Sequence, residues 1–317
     1  SANASTAKKP AFVIEYTEDT SLSDGYYFIR NAACQRYLDV EYAGQEAGTP
    51  TSIYDFNGND NQLWDVKQIS AGKYTLRPFN AYDYYLSARD EYGCRLTLSA
   101  SKLAWRLVKN ADNTYRIVQI ASVRQAAESA NGSTENGNAV QTWGYGGYDN
   151  QKWVFEPATF AGGARAYRQE NSTQIKCLGY ALELTHNYSP IINIKDTVDT
   201  FYERRIVPYV ESLNRKCRRL LNAYSYISPH EYKIAMRVAP NNVANDLGYA
   251  ISDYHFMVQI SGEEWAHKMG THPSERLGKI SPGSFSWDYV TYYSNGEEKF
   301  RQTNFYDSAT AFFAVTR

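Results

Sequence analysis

From Leu22 to Pro157 apolar and polar residues alternate in short runs, as in YYFIR (26–30) and YTLRPF (74–79), and Gly, Asn and Asp break the runs. A two-residue period over such lengths predicts half-buried strands joined by tight turns, and no helical period interrupts it. The pattern also repeats. Asn61-Gln62-Leu63-Trp64 recurs as Asn150-Gln151-Lys152-Trp153 at an offset of 89 residues, and the same offset carries Asp39 onto Glu128, Tyr54 onto Trp143 and Gly48 onto Gly137. Between them lies a degraded copy: Leu86 and Trp105 keep the apolar frame, but Ser87 replaces the acid and Leu103 the glutamine. Three units of about 40–45 residues therefore predict an all-β domain over 22–157.

After Pro157 the pattern changes. TFAGGARAY (159–167) is a Gly and Ala connector, which places a boundary near 158–165. Cys177 to Thr185 reads as a short apolar helix, and Thr197 to Tyr224 as a longer amphipathic one carrying Arg204, Arg205, Arg215, Lys216, Arg218 and Arg219, started again or kinked at Pro208. YKIAMRV, DYHFMVQI, EEWAHKM and the terminal AFFAVTR alternate and are rich in β-branched and aromatic residues. Helices followed by an antiparallel sheet make 165–317 an α+β domain.

Length agrees with two domains, since 317 residues are about twice a typical single one. The formal charge of -1 gives no electrostatic reason to expect nucleic acid. No apolar stretch approaches the roughly 20 residues that span a bilayer, so no membrane insertion is expected. The opening SANASTAKKP has no hydrophobic run and reads as a trimmed mature terminus or a cloning scar rather than a signal peptide. Cys34, Cys94, Cys177 and Cys217 are too few for the fold to depend on disulfides, so a Cys34–Cys94 bridge is left open. The 28 Tyr and 6 Trp suit surfaces that stack on flat or amphipathic ligands, sugars among them.

A sugar site needs a carboxylate to accept from hydroxyls, an amide to donate and an aromatic ring to stack on the C–H face. Repeats one and three hold that set. The repeat length, the threefold count and the acid-to-Trp spacing (39 to 64, 128 to 153) together resemble the ricin B-type β-trefoil lectins, with their Gln-x-Trp repeats. The resemblance implies a carbohydrate site at Asp39, Tyr54 and Asn61 and another at Glu128, Trp143 and Asn150, with Gln62 and Gln151 orienting the acids. Glu128 departs from the usual Asp, and its extra methylene is expected to push the carboxylate outward. Trp64, Trp105 and Trp153 are assigned to the pseudo-threefold core.

In the second half a nucleophile is sought at a helix start, where the dipole lowers a thiol pKa, with an imidazole within reach. Cys177 meets the first condition, while Cys217 is expected inside a helix as half-buried filler. The base is His255 in DYHF, and His267 lies across the turn at Ser261-Gly262-Glu263. An odd-numbered turn puts both imidazoles on one face, so that His267 accepts the other ring proton of His255, and an even one separates them. The order Cys on a helix, His on a strand, then a polar residue resembles papain-like cysteine peptidases, including the NlpC type. More narrowly, Cys177-Leu178-Gly179-Tyr180-Ala181, DYHF and WAHKMG are similar to bacterial secreted or phage-borne domains reading Cys-x-x-Tyr-Ala, DYHFY and WSHKPG, with Ala266 for Ser and Met269 for Pro. Asp288 is held in reserve as the orienting group, and Gln174 or Asn171 as oxyanion donor. No Cys pair stands at zinc-site spacing, and neither metal nor cofactor is expected.

These features point to a secreted, bacterial-type protein whose lectin domain binds glycans or glycoproteins while a thiol peptidase or amidase cuts a peptide or cell-wall polymer. The alternatives are a lectin with an inactive or oligomerising second half, and a lectin-delivered toxin. Sugar, scissile bond and oligomeric state are not encoded legibly.

Overall fold

Residues 22–121 and 124–317 are described in the computed structural model, so the reading of SANASTAKKP falls outside the described residues. Twelve strands come in three sets of four. The first is β1 (Gly25–Asn31), β2 (Tyr37–Val40), β3 (Thr51–Tyr54) and β4 (Leu63–Ser70). The second is β5 (Lys73–Pro78), β6 (Tyr85–Ser87), β7 (Thr97–Ser99) and β8 (Trp105–Lys109). The third is β9 (Tyr115–Gln119), β10 (Gln125–Ser129), β11 (Asn138–Gly144) and β12 (Trp153–Pro157). Ten of them join one sheet in the order β10-β11-β3-β2-β1-β12-β9-β8-β5-β4, with β10–β9 and β1–β4 pairings as well, and β6 pairs with β7 separately. This is a β-trefoil.

One bond type recurs in every repeat. Trp64 Nε1 donates to Leu38 O at 3.0 Å, Trp105 Nε1 to Leu86 O at 2.9 Å and Trp153 Nε1 to Ala127 O at 3.0 Å, each tying a fourth strand to a second. All three indoles are fully buried. The middle repeat has thus kept its frame while losing its polar set.

The second half is mostly sheet. β13 (Cys217–Leu220), β14 (Glu231–Ala244), β15 (Tyr249–Ser261), β16 (Glu264–Lys268), β17 (Ser274–Lys279) and β20 (Ala311–Thr316) form six antiparallel strands in the order β13-β20-β14-β15-β16-β17. A separate hairpin joins β18 (Tyr289–Tyr292) and β19 (Glu298–Gln302). One sheet face, with Ile234, Phe256 and Ala266, packs on α1 (Cys177–Ala181) and α2 (Val198–Phe201). The other, with Met257 and Trp265, packs on Trp287 and Phe305.

The helical share is smaller than the α+β expectation. α1 ends at Ala181, with Glu183 in the left-handed region. The helix expected over 197–224 is α2, a π turn (Tyr202–Ile206) and α3 (Val207–Ser212), and it stops there because Asn214 adopts φ 56°. The π turn precedes Pro208, whose ring would clash with the carbonyl four residues back in an unbroken α-helix. Arg218 and Arg219 are therefore strand residues, as is Cys217, which pairs with Val315 and whose sulfur lies 3.3 Å from Tyr202 Oη. The four cysteines are free thiols. Among the described residues no helix is long and apolar enough to cross a membrane.

Candidate functional site

In the first repeat β2 and β3 present Asp39 opposite Ser52. Asn61 Nδ2 donates to Asp39 Oδ2 at 3.0 Å and Gln62 Nε2 to the same oxygen at 2.9 Å. Gln62 is itself fixed, since it also donates to Asp55 O and accepts from Asn57 N, both at 2.9 Å. One carboxylate oxygen of Asp39 is thus held by both amides. Burial pushes the Asp39 carboxyl up to about 6, against the downward pull of the Gln62 and Asn61 hydrogen bonds. Tyr54 is 44% exposed, so a face is free for stacking.

The third repeat copies this arrangement. Gln151 Nε2 donates to Glu128 Oε2 at 2.9 Å and Asn150 Nδ2 to the same atom at 3.4 Å, while Trp143 is 48% exposed. The extra methylene does not push the carboxylate outward, because Glu128 is as buried as Asp39. Its other oxygen accepts from Gln141 Nε2 at 3.0 Å, directly across the strand pair. Gln141 escaped the sequence analysis, although Ser52 stands at the matching position of repeat one. Tyr92, brought in from the second repeat, meets Trp143 edge to face at 5.7 Å between centroids.

The second site lies at the edge of β15. Pairing between β15 and β16 stops at Met257–His267, so Tyr254 to Phe256 have no strand partner on that side. Cys177 opens α1 there, its Sγ donating to Tyr254 O at 3.9 Å and facing the backbone N–H groups of Leu178 and Phe256. Cys177 and His255 line one cavity of about 540 Å³, together with Lys176, Asp253, His272 and Tyr306. His255 Nε2 lies 3.0 Å from His267 Nδ1. The turn between β15 and β16 is even, Gly262 and Glu263, which alone would separate the imidazoles. A register shift between Gln259 and Ser261 restores Met257 opposite His267 and so returns both rings to one face.

Several expectations change. The thiol is not activated at rest: burial, and secondarily Asp253, push Cys177 up to about 12, and a five-residue helix does not offset this. Burial likewise pushes His255 well below the usual imidazole range, with His267 adding to it, so the resting pair is uncharged. Asp288 does not orient an imidazole, since its carboxylate accepts from Arg301 Nη1 at 2.9 Å and from Asn304 N at 3.1 Å. Gln174 is exposed and lies outside the cavity lining, where Lys176 and Leu178 flank the thiol instead. Asn171, also exposed, has its side-chain oxygen accepting from Gln169. Asp253, visible in DYHF but assigned no role from sequence, accepts from Tyr306 Oη at 2.8 Å.

Fold and first site together define a β-trefoil of the carbohydrate-binding class. The chain belongs to the ricin-type β-trefoil lectin domain-like family, whose model matches residues 11–91 and 102–192, more than half of the sequence. Over 58 residues it is 40% identical to the clotting factor G alpha subunit of Tachypleus tridentatus, covering 18% of this chain and 8% of that protein's length. Among solved structures it is similar to the designed threefold-symmetric protein ThreeFoil, at 29% identity, 42% of this chain, 98% of that one and a TM-score of 0.40. The agglutinin of Rhizoctonia solani is similar at 23% identity, 43% and 96% coverage and a TM-score of 0.40. The Macrolepiota procera ricin B-like lectin, solved with lactose, is similar at 21% identity, 42% and 96% coverage and a TM-score of 0.38.

Proposed function

We propose that the protein is a secreted, glycan-targeted thiol hydrolase, in which the trefoil holds a glycan or glycoprotein and the Cys177 cleft cuts a peptide or amide bond. The observation that carries this is the shared cavity: a thiol at a helix start and an imidazole with one nitrogen already engaged face the same space. A six-stranded antiparallel sheet carrying the base, with the nucleophile helix packed on its face, also supports a papain-like reading of the NlpC type.

With Nε2 of His255 turned to His267, Nδ1 is the nitrogen left for the thiol. Because both partners are neutral at rest, the proton leaves Sγ for Nδ1 as the sulfur attacks the carbonyl carbon. The imidazolium then protonates the leaving nitrogen. Water attacks the thioester, returning a proton through His255 and freeing the thiol. The backbone N–H groups of Leu178 and Phe256 face the sulfur.

The depressed basicity of His255 and the buried thiol favour one second reading, a lectin whose second half is catalytically silent. A glycan array paired with a glycopeptide library separates them. The parent is expected to bind and cleave, Cys177→Ser to bind without cleaving, and Asp39→Ala with Glu128→Ala to lose array binding. Identical peptide products from the parent and Cys177→Ser contradict the hydrolase, and unchanged array binding by the double variant contradicts the sugar sites.

A further inference from the structure

We propose that Glu275 is a positioning residue for His255, acting through His267 to decide which nitrogen of His255 is free to take the thiol proton, a role that rests on the thiol-hydrolase reading above. Glu275 on β17 is the cross-strand partner of His267 on β16. Its Oε2 lies 3.6 Å from His267 Nε2, a buried nitrogen with no hydrogen bond of its own. That is an ion-pair distance rather than a full hydrogen bond, and the Glu275 side chain is exposed enough to close it by rotation.

The rest follows from proton counting. A carboxylate only accepts, so when His267 holds a single ring proton, that proton sits on the nitrogen facing Glu275. Nδ1 of His267 is then a bare acceptor. The 3.0 Å contact therefore runs from His255 Nε2–H to His267 Nδ1, which leaves His255 Nδ1 with its lone pair toward the cavity it shares with Cys177. The opposite tautomers would put a proton on His255 Nδ1 and remove the base.

The surroundings keep Glu275 ionised. His267 and, to a smaller degree, Arg301 hold its carboxyl below the usual carboxylate range, against the effect of burial. The small cavity behind the imidazoles also contains Asp288, which Arg301 engages at 2.9 Å, and Tyr292. Glu275 is thus the acid that the geometry leaves to His267.

The experiment is long-range 15N–1H NMR of the histidine rings in the intact protein, with the pH profile of Cys177 alkylation by iodoacetamide recorded on the same samples. The parent is expected to show His255 protonated at Nε2. Glu275→Leu should mix the tautomers and slow alkylation near neutral pH by about an order of magnitude. Glu275→Gln, whose amide oxygen still accepts from Nε2–H, should restore most of both. A parent spectrum with His255 protonated at Nδ1, or tautomers unmoved in Glu275→Leu, overturns the role of Glu275. The hydrolase reading fails separately, if His255→Ala leaves alkylation unchanged, and the NMR result still decides the tautomer.

Discussion

At the scale of single residues, the proposed role of Asp39 as a sugar acceptor predicts that sugar binding depends on pH. The folded-state carboxyl of Asp39 titrates near 6, above the roughly 3.9 of an unfolded chain. Ionised Asp39 therefore disfavours the fold, and its contribution to stability improves as pH falls from about 6 toward about 4. Binding runs the other way, because a sugar hydroxyl needs the carboxylate as acceptor. Affinity at the first site should fall between pH 7 and 5, roughly tenfold or more if one charged hydrogen bond is lost, and binding near pH 5.5 should release a proton. Calorimetry in buffers of different ionisation heat checks this, and pH-independent binding without proton release would contradict it. Asp39, Asn61 and Gln62 were legible because a repeat shows them twice. Gln141 and Glu275 were not, since each meets its partner across a strand pair whose register no local spacing states.

At the scale of elements, the three tryptophan bonds separate frame from ligand set. Trp105→Phe removes the bond to Leu86 O and leaves a buried carbonyl unpaired, at a cost of about 1–3 kcal/mol. Trp64→Phe and Trp153→Phe should cost about the same in urea unfolding. A neutral Trp105→Phe would show that the middle repeat is not pinned like its neighbours. In the second half alternation disclosed β14, β15, β16 and β20 but not β13, β17, β18 or β19. The helix over 197–224 was misread because its basic residues fit a helical face as well as an edge strand, and only pairing of Cys217–Leu220 with the chain's last strand decides between them. The hairpin carrying the imidazoles shows the same limit. An even turn and a compensating bulge give the outcome expected of an odd turn, and sequence alone reveals neither.

At the scale of the whole molecule, the halves meet through named contacts. Thr159 bridges to Ile227, and the ring of Tyr26 on β1 packs tilted against that of Tyr226 at 4.4 Å between centroids. Tyr226 also joins the small core of Phe28, Tyr37, Leu63 and Ala158. The change of pattern after Pro157 was visible in sequence, whereas these contacts join residues up to 200 positions apart and were not. Under the proposed function, linking the cleft to a glycan-bound trefoil would raise the local concentration of any substrate carried on that glycan. The account therefore stands on Cys177 and His255 acting as a pair. The most direct measurement is the pH profile of Cys177 alkylation by iodoacetamide, with peptide mapping to resolve it from Cys34, Cys94 and Cys217. In the parent the rate should follow an imidazole titration below neutral pH, while His255→Ala should lose that inflection and react only as the buried thiol itself ionises at high pH. Superimposable profiles for the parent and His255→Ala would contradict the pair.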